Sequence, residues 1–502
     1  MLSLTVLGAL AALSLLLYKY ILHPLFLSPL SRIPKAYFTS HIIPLQAWSR
    51  EDTGANTRGV FAAHQKHGPV VRLGPNEISC VTPTALRVVY TGGFEKERSY
   101  EDVFVNYGIP PMFATLASKP HSVRKRMMTS LYSKSFLQTS PDMEKLSRSI
   151  IYDKLLPTVR SVAGKGSQLD VFDFSQAIAM DFISAYLFGL SNGTDFMNNA
   201  DYRHHWYKAY QRSLRTLPKE RRNGELETWC LQLCEAANRF LHPTDQGTDS
   251  KLVTQPVIFA RVFESLSQSP KAEADPSHAM LATASEMLDH LIAGHETSAI
   301  TLTYLMLELS RRPELQARLR KELLTLDPPI VTDSPIDDLP SPHSIDALPL
   351  LDSVLQETLR LYAAGPARQP RVTPHVPGGT TIDNYAHIPG GVVVSANAHT
   401  LHRNPEVFPE PESWIPERWL LDDADPEAEE KREEMRRWFW AFGSGGRMCI
   451  GSHFAIQELK LLTAALYRNF VTEVDDDEGM EQVDDYIARP KGEKLNLRFR
   501  CV

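Results

Sequence analysis

Residues 442–451 read FGSGGRMCIG. Cys449 closes a loop that holds Gly443, Gly445 and Gly446, and Gly451 leads into the apolar, helix-like run SHFAIQELKLLTAALYRNF. Glycines reach backbone conformations closed to other residues, so such a loop can turn tightly. The free N–H groups at the start of the next helix favour negative charge on a nearby sulfur. Arg447, two residues before the cysteine, can hold an anion. The local design is a thiolate presented from a rigid loop. A thiolate suits three tasks: nucleophile, metal ligand or redox thiol. No second cysteine is close enough for a Cys-x-x-Cys pair. Metal ligand and nucleophile both stay open on these grounds, with a structural cysteine beside them. The other cysteines are Cys80, Cys230, Cys234 and Cys501. Cys230 and Cys234 are four apart on a predicted helix, and no nearby histidine or cysteine pair completes a metal site. Packing on one helix face is expected for them.

Three distant segments add chemistry. ETLR places Glu357 and Arg360 at i, i+3, facing each other on a helix. PERW supplies Glu417 and Arg418, and AGHETS supplies Ala293, Gly294, Glu296, Thr297 and Ser298. With Phe442, Gly445, Arg447, Cys449 and Gly451, these four motifs in this order resemble the cytochrome P450 superfamily of haem-thiolate monooxygenases. The resemblance covers nearly the whole chain. One departure is Trp419, where the family has phenylalanine.

The resemblance implies a mainly α fold with a minor antiparallel β component, the cytochrome P450 fold. It implies haem b, iron protoporphyrin IX, with Cys449 as the axial thiolate that pushes electron density toward O–O cleavage. Phe442 would pack beside the sulfur, and Gly443 and Gly451 would leave room for the macrocycle. Arg418 would join Glu357 and Arg360 in a buried network whose loss costs roughly 3 to 5 kcal/mol. Ala293 and Thr297 share a helix face. A turn widened at Gly294 would admit dioxygen, and Thr297 and Glu296 would relay protons. The plain alternative for Thr297 is a hydrogen bond back to the i−4 carbonyl. His295 is expected to point away from the haem. Candidates for the haem propionates are Arg447, His121, Lys125 and Arg371, with a solvated basic face as the alternative. Arg124, Lys125, Arg126 and Lys134 would form a docking patch for NADPH-cytochrome P450 reductase.

Substrate contacts are expected from residues 106–116, 200–240, 289–293 and 363–369, which suit a small lipophilic molecule. The segments around PERW and after the anchor are similar to filamentous-fungal microsomal members, many of which act in secondary metabolite biosynthesis. A haem-thiolate isomerase or dehydratase acting on a peroxide is the second enzyme reading. A non-catalytic haem-binding protein is the reading from another class.

The elements that must position these residues follow from patterning. The sequence has 502 residues, 43% hydrophobic and 23% charged, with net charge −7. That balance argues against nucleic-acid binding. Residues 2–18 carry no charge and read as a membrane-spanning helix. A basic n-region and a cleavage site, the marks of a signal peptide, are missing. The division expected is an anchor at 1–22, a proline-stiffened connector at 23–44 and one catalytic domain at 45–502. Lys19, Arg32 and Lys35 follow the apolar run, which places the body in the cytosol as a single-pass protein of the endoplasmic reticulum membrane. Few, scattered cysteines fit a reducing compartment. The sequon Asn192-Gly193-Thr194 should then stay unmodified. GPVVRLGPNEISCVTP alternates apolar residues between Gly and Pro and predicts a hairpin. Residues 279–312 contain no proline and predict a helix of about 50 Å crossing the domain.

Overall fold

The computed structural model describes residues 4–43, 56–214, 224–242, 254–332, 338–422 and 425–502. The connector boundary at 44/45 and residues 215–223 of the expected substrate region lie outside these. The described residues are mainly helical with three small sheets.

The apolar amino-terminal run forms the α-helix Leu4–Leu17 and continues in a wider π register over Tyr18–Leu27. The helix therefore runs through Pro24, past the expected end at residue 22. Proline lacks an N–H and its ring crowds the i−4 carbonyl. The looser i→i+5 register relieves both, and the bond from Ser28 N–H to His23 O at 2.8 Å closes the last turn. Thr5–Leu27 spans 23 residues, almost all exposed with Pro24 the buried exception, and is a candidate membrane anchor. Its base is tied to the body by the buried Arg72, which donates to Pro24 O at 2.8 Å and Pro75 O at 2.7 Å.

The expected hairpin forms: Val70–Gly74 pairs antiparallel with Glu77–Cys80. It belongs to a five-stranded sheet that continues through Val393–Ser395, Arg371–Val372 and Glu95–Lys96. Most pairs are antiparallel, but Glu77–Cys80 lies parallel to Val393–Ser395. The long segment between those two strands makes a crossover possible.

The central helix spans Pro276–Ser310, 35 residues. Asp275 caps it by accepting from Ser277 N–H, and Pro276 occupies its first position. It packs most extensively against Val171–Phe188, an apolar helix almost wholly buried. Gly294 sits at that crossing. A Cβ there would lie 2.7 Å from Ile183 Cγ1. The helix stays α-helical through Gly294, so the expected widened turn is not formed. The glycine serves close helix approach instead. The sequon is also structural: Thr194 Oγ1 donates to the buried Asp181 at 2.7 Å, and Asn192 Nδ2 to Phe188 O at 3.1 Å. Cys230 and Cys234 are buried and free on Glu225–Leu241, as packing on one face requires.

Candidate haem-thiolate site

The cysteine loop is held from several sides. Gly443 and Gly445 have φ of 69° and 70°, which only glycine adopts without strain. At Gly445 a Cβ would also strike Tyr90 O at 2.2 Å. Phe442 O accepts from Cys449 N–H at 2.9 Å. Trp440 donates its indole N–H to Ser444 Oγ at 2.8 Å. Lys125 Nζ donates to Gly446 O at 3.0 Å and Met448 O at 2.9 Å. Cys449 is exposed, although burial among protein atoms pushes its thiol pKa up. The Gly451 N–H and the Lys125 charge pull it down, toward thiolate. No histidine hydrogen-bonds the sulfur among the described residues, so the nucleophile reading lacks a base. No group of three His, Cys, Asp or Glu there could hold a metal either. A lone thiolate fits a metal that brings its own remaining ligands.

The space for a macrocycle is consistent. A Cβ at Gly443 or Gly446 would meet nothing within 4 Å, and one at Gly451 would meet only Cys449 Sγ, at 4.0 Å. Between Ala282 and Ser310 the central helix is buried except at Asp289, Ile292, Ala293, Gly294 and Thr297. Tyr132 lies within electrostatic reach of both Cys449 and Asp289.

Thr297 Oγ1 donates to Ala293 O at 2.7 Å, the i−4 carbonyl bond that is the plain alternative to a relay. Glu296 turns elsewhere: it accepts from the buried Tyr210 hydroxyl and lies 4.0 Å from Arg489. Burial raises its pKa, with Arg489 opposing. The helix thus does not join Thr297 to Glu296 by a hydrogen bond. His295 is buried, bonds Gln176 Oε1 at 2.8 Å and meets Trp206 edge-on.

The propionate candidates converge. Lys96 and Arg371 are direct partners on neighbouring strands. Like charges so placed are destabilising unless an anion joins them. Burial first, then Arg371 and Arg447, push the Lys96 pKa well down. His121 is driven to about 3 by burial and by Arg447, Lys96, Lys125 and Arg371. Arg447 donates to Thr115 O and Leu116 O, and Arg371 to Pro370 O at 2.9 Å. A crowd of buried donors with so little paired acid fits a dianionic group. Lys96 was not foreseen; its strand is two residues long and carries no periodic signal.

The docking patch needs correction. His121, Arg124, Lys125 and Met128 sit at i, i+3, i+4 and i+7 on Ser118–Met128, so they share its inner face. Arg124 there pairs with the buried Glu286 and is not part of a surface. Lys125 is occupied by the loop carbonyls. Arg126 and Lys134 are the exposed members, and Lys134 pairs with Asp346.

Behind the loop, Glu357 and Arg360 are fully buried and bidentate, both bonds 2.8 Å. Arg418 Nε donates to Glu357 at 3.0 Å. Arg360 also donates to His402 O, Pro411 O and Ser413 O. His402 Nδ1–H donates to Arg360 O at 2.8 Å, so its Nε2 must accept the Trp440 N–H at 2.7 Å. His402 thus joins the network to the cysteine loop, a link no motif marks.

Of the expected substrate segments, 106–116 and 363–369 meet at an aromatic group. Phe113 packs on Tyr100 and Phe104 at 5.4 and 5.0 Å, and Phe104 on Tyr486 at 5.5 Å. The Tyr100 and Tyr486 hydroxyls donate to Gln369 Oε1 at 2.7 and 3.2 Å. Tyr486, far along the chain in an acidic segment, was missed.

Comparison with known proteins bears on the family. The family model for cytochrome P450 matches residues 43–496. Cytochrome P450 monooxygenase avaI of Aspergillus versicolor is 32% identical over 423 residues, covering 81% of this chain and 96% of the relative. Cytochrome P450 monooxygenase orf2 of Aspergillus niger is 26% identical, covering 97% and 96%. Cytochrome P450 monooxygenase stcB of Emericella nidulans is 28% identical, covering 92% and 87%. An isolated thiolate in a glycine loop, a braced Glu–Arg pair behind it and a full-length match lead to one conclusion: this chain belongs to the cytochrome P450 family, as a haem-iron monooxygenase.

Proposed function

We propose that the protein is an NADPH-reductase-dependent monooxygenase that hydroxylates or epoxidises a small lipophilic molecule in fungal secondary metabolism. Haem b, held by Cys449, would supply the binding and reductive activation of dioxygen. The observation that carries the reading is Cys449, exposed at the end of its glycine loop, with Lys125 holding the loop carbonyls and the Gly451 N–H and Lys125 charge opposing the burial that raises its thiol pKa.

The chain's own residues have separate tasks. Arg447 and Arg371 would neutralise the propionates, with Lys96 and the neutral His121 ring as further hydrogen-bond donors. Phe442 and the Trp440-braced loop limit water at the sulfur. Thr297 holds a proton at Oγ1, parked on Ala293 O until an acceptor on the oxygen side takes its hydrogen bond. Glu296, engaged by Tyr210 and Arg489, acts as the proton reservoir behind it and requires a water or a side-chain rotation to reach Thr297. Thr5–Leu27 anchors the body on the cytosolic face of the endoplasmic reticulum. Reductase docking rests on Arg126 and Lys134, with Arg124 excluded.

The deciding experiment is Cys449→Ser. It should abolish the red-shifted absorption band of the reduced carbon-monoxide complex. Survival of that band would overturn the ligand assignment. Product formation that requires NADPH and reductase separates monooxygenation from the isomerase and haem-binding readings.

A further inference from the structure

Asp289, Ala293 and Thr297 lie at i, i+4 and i+8, so one face of the central helix carries all three. All three have accessible surface on a helix otherwise buried around them. Other interior acids have partners. Glu286 takes Arg124 and the Met112 N–H, Glu296 takes Tyr210, and Glu458 takes Ser298. The Asp289 carboxyl has no hydrogen bond or ion pair among the described residues.

Its charged surroundings explain why this matters. Glu286, one turn earlier on the same helix, repels a charge on Asp289, and Lys96 from the sheet attracts one. Burial is the largest influence and, with Glu286, pushes the carboxyl up to about 8. Lys96 does not reach it: Lys96 donates to Phe113 O and sits over the Phe113 and Tyr100 rings at 3.7 and 4.0 Å. Lys96 also belongs to the cation group assigned above to the propionates. A desolvated carboxyl without a partner costs stability, and it rejects ligands that leave it unpaired. Lys96, the cation within electrostatic reach of Asp289, sits over the Tyr100 and Phe113 rings, and with Phe104 these rings supply apolar area on that side.

We propose that Asp289 anchors the substrate, and that the substrate carries a hydrogen-bond donor, a protonated amine or a neutral N–H or O–H, on an apolar, ring-containing frame. This rests on the reading that the Ala293–Thr297 face is the oxygenation side.

The test uses the full-length, haem-loaded protein in detergent and three matched probes. They are N,N-dimethyl(naphthylmethyl)amine, naphthylmethanol and isobutylnaphthalene, which present a cation, a hydroxyl and no donor. Dissociation constants come from equilibrium dialysis. In the unmodified protein the amine, the alcohol or both should bind about tenfold or more tighter than isobutylnaphthalene. Asp289→Leu should erase that preference. Asp289→Asn, which keeps shape and hydrogen bonding, should lose the amine's advantage and keep the alcohol's. Neither donor probe exceeding isobutylnaphthalene, or an equal preference in Asp289→Leu, overturns the proposal. The reduced carbon-monoxide band is recorded for each sample. Its absence from the unmodified protein would sink the haem-thiolate reading instead, a different failure from an unchanged probe preference in loaded protein.

Discussion

Trp419 donates its indole N–H to Glu357 Oε2 at 2.9 Å. The residue that departs from the family's usual phenylalanine is therefore a further donor to the buried carboxylate, beside Arg360, Arg418 and the Ile415 N–H. Trp419→Phe should lower unfolding free energy by about 1 to 2 kcal/mol, since the remaining donors still satisfy Glu357. Glu357→Gln should cost more, roughly 3 to 5 kcal/mol, because it strips the buried Arg360 of its counter-charge. Denaturant unfolding of both variants checks the order; a Trp419→Phe loss equal to that of Glu357→Gln contradicts it.

Gly294→Ala reverses the ordinary helix rule. Propensity alone favours alanine by about 1 kcal/mol. Here the new Cβ falls 2.7 Å from Ile183 Cγ1, and overpacking of this kind costs about 1 to 3 kcal/mol. Net destabilisation is expected, with recovery when Ile183→Ala is added. Additive losses in the double variant would show that the two residues do not meet.

His402 makes stability depend on pH. Its native pKa is lowered from 6.5 to about 3, with burial the main cause. The folded state keeps the ring neutral, because Nε2 must accept the Trp440 N–H. Between pH 3 and 6.5 the unfolded chain binds the extra proton, so this contribution is present above 6.5 and is lost as pH falls. Going from pH 7 to 5 should remove about 2 kcal/mol through this group. His402→Gln should be less stable at pH 7 and show a flatter slope from pH 7 to 5, measured by denaturant midpoints. A slope identical to that of the unmodified protein would remove His402 from the account.

Thr297→Ala should divert reducing equivalents into hydrogen peroxide, with product per NADPH falling about tenfold or more. Thr297→Ser, which keeps the hydroxyl, should retain most of the coupling. If Thr297→Ala stays fully coupled, the bond from Thr297 Oγ1 to Ala293 O at 2.7 Å is the whole role of that side chain.

The sequence by itself determined what depends on neighbours along the chain. The glycines around Cys449 allow a tight loop, Glu357 and Arg360 pair because i and i+3 meet on any helix, and 23 apolar-dominated residues make a candidate span wherever they occur. The inner face of Ser118–Met128 was also legible, since His121, Arg124, Lys125 and Met128 keep helical spacing. Tertiary structure alone decided the rest. Gly294 became a helix-crossing glycine because Ile183, 111 positions away, packs on it. Glu296 turned to Tyr210 and Arg489, Lys96 came beside Arg371, and His402 joined Arg360 to Trp440. Each is a choice among partners far apart in the chain. Local periodicity fixes the direction of a side chain relative to its own helix or strand, but only packing decides which distant group stands in that direction and whether water is left between them.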